Sequence, residues 1–132
     1  RDGEGASKLI TIVIKNARSE LQAKKIAKSI GNSQLFKTAI YGEDPNWGRI
    51  IMAISKTYEA IDTKKLKILF GNYRATHNGA ENKNVKNLKI KNYLKRKEIK
   101  VTIDLGLGKH SFDILTCDLS HKYIDINASY KS

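Results

Sequence analysis

The stretch that most constrains the fold is "LITIVI", Leu9 to Ile14: six residues without a charge, five of them β-branched. β-Branched side chains are stiff in a helix but sit well on a pleated sheet. The run is far shorter than the ~18 apolar residues of a membrane span, and it lacks the basic flank and small-residue cleavage site of a signal peptide. It reads as a strand covered on both faces. Such a strand needs partners beside it and layers over it.

The following sequence offers both. "SELQ", Ser19 to Gln22, places a Gln three residues after a Ser, the signature of a capping box. Ala23, Ile26, Ala27 and Ile30 then fall at i, i+3, i+4 and i+7, one face of a helix, with Gly31 as its stop. "KLKILF" alternates and ends at the turn pair Gly71-Asn72, and Asn78-Gly79 marks a second turn. Val85 to Leu94 suits a helix, though its pattern is ambiguous. "IKVTIDLGLGKHSFDILTCDL" reads as a hairpin: Val101, Ile103 and Leu105 go out, Gly106 and Gly108 turn, and Phe112 and Ile114 return. "KYIDINA", Lys122 to Ala128, predicts a last strand. Without repeats or linkers, residues 1–132 make one α+β domain.

Between the first helix and the later strands stands "YGEDPNWGRI", Tyr41 to Ile50, which holds the only Pro and the only Trp. Asp44 predicts an N-cap and Pro45 the first helical position. The helix would carry Trp47, Ile50, Ile51 and Ile54 toward the core, with Arg49 or Glu43 pairing to hold segments together.

The net charge of +12 raises the question of nucleic acid. The excess is mostly Lys, densest from Lys83 to Lys100, with only five arginines and no recognition motif beside it, so it reads as a solvated basic face. A basic, non-catalytic nucleic-acid-binding module stands as the alternative. A single cysteine, Cys117, forbids an internal disulfide and suits a reducing cytoplasm. The sequence starts at Arg1 and its only Met is Met52, so a piece of something longer is expected.

His77, His110 and His121 show no paired ligand spacing, and no metal is expected. Cys117 reads as a small hydrophobe in a strand, although pairing with His110 or His121 is conceivable. Asp113, Asp118 and Asp125 have no evident partner. The residues alone give no complete catalytic constellation, only what could be half of one.

Five stretches, in order, carry more. "RDGEGASK", "KTAIYGEDPNWGRI", "DLGLGKHSF", "TCDLS" and "YIDINASYKS" resemble the C-terminal part of the β subunit of the bifunctional ornithine acetyltransferase/glutamate N-acetyltransferase family of arginine biosynthesis. The resemblance runs end to end. It implies a mixed sheet with packed helices, part of a self-processing αββα fold. It also implies a precursor that cuts itself into α and β chains at a Thr. That Thr, upstream of Arg1, would take acetyl from N-acetylornithine and pass it to glutamate. No catalytic residue is therefore expected in this chain.

Three substrate contacts carry over by the same resemblance: Glu4 of "DGEGA", Asn127 of "INASY" and terminal Ser132. By residue type alone they read as a solvated acid, a turn former and a chain end. As substrate contacts they would offer a carboxylate to an α-amino group, and donors and acceptors to a carboxylate. The implied partners are the α subunit and the rest of the β subunit in an α/β hetero-oligomer, with no membrane and no nucleic acid. No cofactor is implied, and acetyl-CoA would enter only as an acetyl-donor substrate, as it does in bifunctional members.

Overall fold

The computed structural model describes residues 7–119 and 123–126. The chain runs β1 (Leu9–Ala17), α1 (Glu20–Gly31), α2 (Gln34–Tyr41), α3 (Trp47–Ser55), β2 (Lys67–Phe70), β3 (Tyr73–Arg74), β4 (Thr76–His77), β5 (Ala80–Glu81), α4 (Asn87–Tyr93), β6 (Glu98–Asp104), β7 (His110–Cys117) and β8 (Tyr123–Asp125). Six strands form one mixed sheet in the order β3-β2-β6-β1-β7-β8, and β4 and β5 form a separate small ribbon. The fold is α+β with helices packed on a mixed sheet, as expected; the described residues supply one helical layer and one sheet layer.

β1 is central, parallel to β6 and antiparallel to β7. Ile10, Ile12, Ile14 and Ala17 are fully buried beneath the helices. Among the described residues cover is seen on one face only: Leu9 is 44% exposed, and Thr11 and Val13 are half-buried. On that second face Leu9 stands between Glu98 and Cys117, Thr11 between Lys100 and Leu115, and Val13 between Thr102 and Asp113. This face thus carries charged and aliphatic groups side by side.

The expected hairpin is corrected. β6 and β7 do not pair with each other, because β1 lies between them. Their connection crosses the end of β1, where Leu105 N–H donates to the Lys15 carbonyl (2.9 Å), and Leu107 and Gly108 N–H donate to the Asn16 carbonyl (2.8 and 2.9 Å). Asn16, at φ 58°, breaks the β1–β7 register and donates from Nδ2 to Asp104 Oδ1 at 2.9 Å. Five residues easily span the two strand spacings, about 10 Å. The alternation within β6 and β7 is the same with or without an intervening strand, so their sequence does not reveal it.

The helices follow local rules. Ser19 Oγ accepts from Gln22 N–H (3.0 Å), and Gln22 Oε1 accepts from Arg18 N–H (2.8 Å), one residue earlier than an ideal capping box. Ala23, Ile26, Ala27 and Ile30 are all buried; Gly31 is the last helical residue and Asn32 the cap. α2, capped by Ser33, was not anticipated in "QLFKTAIYG". The cap of α3 is corrected from Asp44 to Asn46, whose Oδ1 accepts from Arg49 N–H at 3.3 Å. Asp44 acts one step out, with Oδ2 accepting from Asn46 Nδ2 (3.3 Å), and Pro45 lies before the helix. Ile50 and Ile54 are fully buried, and Trp47 and Ile51 pack against the core as expected. The turns at Gly71-Asn72 and Asn78-Gly79 form, and α4 lies within Val85–Leu94. β8 ends at Asp125, with Ile126 already helical, so the strand stops short of the expected Ala128.

Candidate functional site

Glu4, Asn127 and Ser132 lie outside the described residues. What the structure places is where the chain enters and leaves beside them. Lys8 leads into β1, and Ile126 follows Asp125, which pairs with Ile114, which in turn pairs with Ile12. The levels of Lys8 and Asp125 are thus four strand residues apart, about 13 Å, and two strand spacings, about 10 Å, across.

The entry point is a polar junction. Lys8 N–H donates to Asp118 Oδ1 at 2.7 Å, and Asp118 N–H donates to the Lys8 carbonyl at 3.2 Å. Lys8 Nζ donates to the Arg96 carbonyl at 3.4 Å and lies 3.8 Å from Glu43 Oε2. Glu43 sits at φ 58° where the "YGEDPNWGRI" motif leaves α2, so it does hold segments together. Arg49 does so too, its Nη1 donating to the Leu35 carbonyl at 2.7 Å. The motif's role in the described structure is therefore architectural.

Asp118 is 3% exposed, and its Oδ2 is buried without a hydrogen-bond partner. The thiol of Cys117 lies 3.7 Å from Asp118 Oδ1. Lys37, on the inner face of α2, is fully buried. Burial pushes Lys37 below the ordinary lysine value, and its interactions with Cys117 and Asp118 partly offset this. Sequence reasoning found neither Lys8 nor Lys37, and it left Asp118 without a partner. One signal was there: Lys37 falls between Phe36 and Ile40 on a helical face otherwise apolar.

Cys117 is half-buried rather than a core residue. His110 opens β7 and Cys117 closes it, about 23 Å of strand apart, so these two do not pair; His121 lies outside the described residues. Among the described residues, no three His, Cys, Asp or Glu side chains gather as a metal-binding group, and no helix is long and apolar enough to cross a membrane.

An open cleft of about 580 Å³ lies at the other edge of β6, lined by Asn72, Tyr73, Tyr93, Arg96 and Lys100 among others. Tyr73 and Tyr93 meet edge to face, and the Arg96 guanidinium stands 5.7 Å above the Tyr93 ring. Lys100 N–H donates to the Tyr93 hydroxyl at 2.8 Å. Most lysines between Lys83 and Lys100 point into solvent around α4 and β6, not into this cleft.

The described residues thus define a class: a two-layer α+β fold with helices packed on one face of a mixed sheet. The chain belongs to the ArgJ family, which matches residues 1–132. The arginine biosynthesis bifunctional protein ArgJ of Nitrobacter winogradskyi is 46% identical over 132 residues, covering 100% of this chain and 32% of the relative. The protein of the same name from Gluconobacter oxydans is 45% identical over 132 residues, covering 100% of this chain and 31% of the relative. The crystal structure of the arginine biosynthesis bifunctional protein argJ from Bacillus halodurans superposes with a TM-score of 0.81 at 36% identity, over 98% of this chain and 61% of that one. The chain spans about a third of the length of the curated relatives it matches.

Proposed function

We propose that this chain is a single domain, the C-terminal portion of the β subunit of a cytoplasmic N-acetyltransferase that moves acetyl from N2-acetylornithine to glutamate in arginine biosynthesis. The observation that carries this reading is the family match over the whole chain, with relatives named for arginine biosynthesis. The chain makes up 61% of the solved Bacillus halodurans chain but 32% of the Nitrobacter relative, so the former is roughly half as long. That difference fits a precursor cut into two subunits, which would assemble here as an α/β hetero-oligomer.

The chemistry assigns this chain to binding. A Thr upstream of Arg1 attacks the acetyl carbonyl through Oγ while a base, its own α-amine, takes the hydroxyl proton. Donors from the α chain hold the tetrahedral oxyanion. Ornithine leaves with the proton, and the amine of glutamate then attacks the acyl-threonine ester, freeing the hydroxyl. Glu4 would meet the substrate ammonium, and Asn127 and the Ser132 hydroxyl its carboxylate. The scheme needs no cofactor; acetyl-CoA would serve only as a second acetyl donor.

The test uses the complete protein. Incubated with N-acetylornithine alone it should carry an acetyl adduct on Thr by mass spectrometry, and added glutamate should discharge it as N-acetylglutamate. Absence of both adduct and product would overturn the reading. Tight binding of single- or double-stranded oligonucleotides with a steep salt dependence would instead favour the basic nucleic-acid module.

A further inference from the structure

Where β2 turns away at Gly71, the edge of β6 is left to other partners. Gly71 N–H still donates to the Lys100 carbonyl (2.8 Å), but the Lys100 N–H donates to the Tyr93 hydroxyl (2.8 Å) instead of to a strand. The Tyr93 ring lies so close to the turn that a Cβ on Gly71, which sits at φ 61°, would stand 2.6 Å from it. Hydrogen bond and turn thus fix the ring, and that much closes the sheet edge. It does not call for what surrounds the ring. Tyr73 meets Tyr93 edge to face at 6.4 Å, the Arg96 guanidinium stands 5.7 Å above the Tyr93 ring, and the cleft of about 580 Å³ opens beside them. The backbone of Arg96 is itself held, its carbonyl accepting from Lys8 Nζ at 3.4 Å.

Tyr73 also walls a second cleft, of about 300 Å³, whose cations are Lys86 and Lys89. The two clefts therefore share an aromatic wall, with Arg96 and Lys100 lining one and Lys86 and Lys89 the other. One carboxylate, Glu98, stands among these four cations, and among the described residues none of the four forms an ion pair. Cations scattered on a surface are merely solvated. Gathered round a fixed aromatic pair, they suit a ligand that is flat at one end and anionic at the other.

We infer that this cleft binds a nucleoside phosphate, its base against the cluster of Tyr73, Tyr93 and Arg96 and its phosphates on the neighbouring lysines. A guanidinium can stack on a ring and still turn its N–H fork to a phosphate. Bases stack on tyrosine rings and on arginine planes alike. The volume lies within the roughly 300–1,000 Å³ of small-molecule sites. A bare anion would use none of the rings, and a neutral nucleoside none of the lysines. The site does not depend on the acetyl-transfer reading.

The experiment is calorimetric titration of the complete protein, at fixed ionic strength, with ATP, adenosine and inorganic triphosphate, repeated on Arg96→Ala and Glu98→Gln. ATP should bind at least about tenfold more tightly than adenosine or triphosphate, since only it engages both halves of the site. Arg96→Ala removes stack and fork together and should weaken ATP about tenfold. Glu98→Gln removes the opposing charge and should tighten ATP about two- to threefold. Absence of ATP binding at millimolar concentration overturns the proposal. So does triphosphate binding as tight as that of ATP, which would mark surface charge alone. An unchanged ATP affinity in Arg96→Ala overturns it too, by placing the nucleotide elsewhere on the protein. Should Arg96→Ala not fold, Glu98→Gln decides: tighter ATP binding supports the proposal, and unchanged or weaker binding overturns it. The titration reads binding without turnover, so its failure leaves the acetyl-transfer reading untouched, and a failed acetyl transfer leaves the nucleotide site standing.

Discussion

Gly108 crosses Ala17 so closely that a Cβ on the glycine would collide with the Ala17 carbonyl. This contact lets the β6–β7 connection pass over the end of β1. Replacing Gly108 by Ala should force backbone apart from backbone, since no flexible side chain is there to yield. Overpacking of this kind costs about 1–3 kcal/mol and at times more. The melting temperature of the Gly108→Ala protein should fall by several degrees, and an unchanged value would argue for a looser crossing.

The start of α3 distinguishes two caps. Asn46→Ala removes the side chain that accepts from Arg49 N–H and should cost about 1 kcal/mol. Asp44→Ala removes only an exposed contact to Asn46 Nδ2 and should cost clearly less. Parallel thermal melts check the order, and a reversal would return the cap to Asp44.

Arg49 joins the start of α3 to the start of α2 through the Leu35 carbonyl. The contact is exposed, so Arg49→Ala should cost only about 1 kcal/mol. Activity of the complete enzyme should survive at wild-type KM. A large loss of activity without loss of stability would show that Arg49 reaches the substrate.

Asp113 sits beside Val13 on the less covered face of the sheet, where burial holds its carboxyl above the ordinary value against the pull of Lys100. The sign follows from proton binding. Between the ordinary aspartate value, about 3.9, and the raised folded value, the native state holds more protons than the unfolded state. Stability contributed by this group therefore falls as pH rises through that window. Asp113→Asn should be the more stable protein at neutral pH, and its advantage should shrink as pH drops below the window. Melts across pH check this; a gap that widens in acid would refute it.

Much of the architecture was legible where a local rule acts alone. Leu9 to Ile14 had to be a strand, Ser19 with Gln22 had to open a helix, and Asn78-Gly79 had to turn. α2 escaped because eight residues give little period, and Lys37 interrupts its apolar face. The place of β1 between β6 and β7 escaped for another reason: strand order is a property of pairing across the chain, and alternation within Val101 to Ile114 is blind to it. The substrate contacts expected at Glu4, Asn127 and Ser132 rest on resemblance alone and lie outside the described residues. Glu4 and Asn127 carry no local pattern that separates a substrate contact from a surface acid or a turn, whereas the junction of Lys8 and Asp118 exists only in three dimensions.

The insertion of β1 between two later strands also sets a schedule. Leu9 finds its parallel partner at Glu98 and its antiparallel one at Cys117, so about ninety residues must follow it before either edge can close. At synthesis rates of roughly 5–20 residues per second, both edges of an isoleucine-rich strand wait some five to twenty seconds for their neighbours. Contacts this distant in sequence also make for slow folding. Among the described strands, the one with a partner on each side in the native sheet is thus also one that waits long on the ribosome with both edges open to stray pairing.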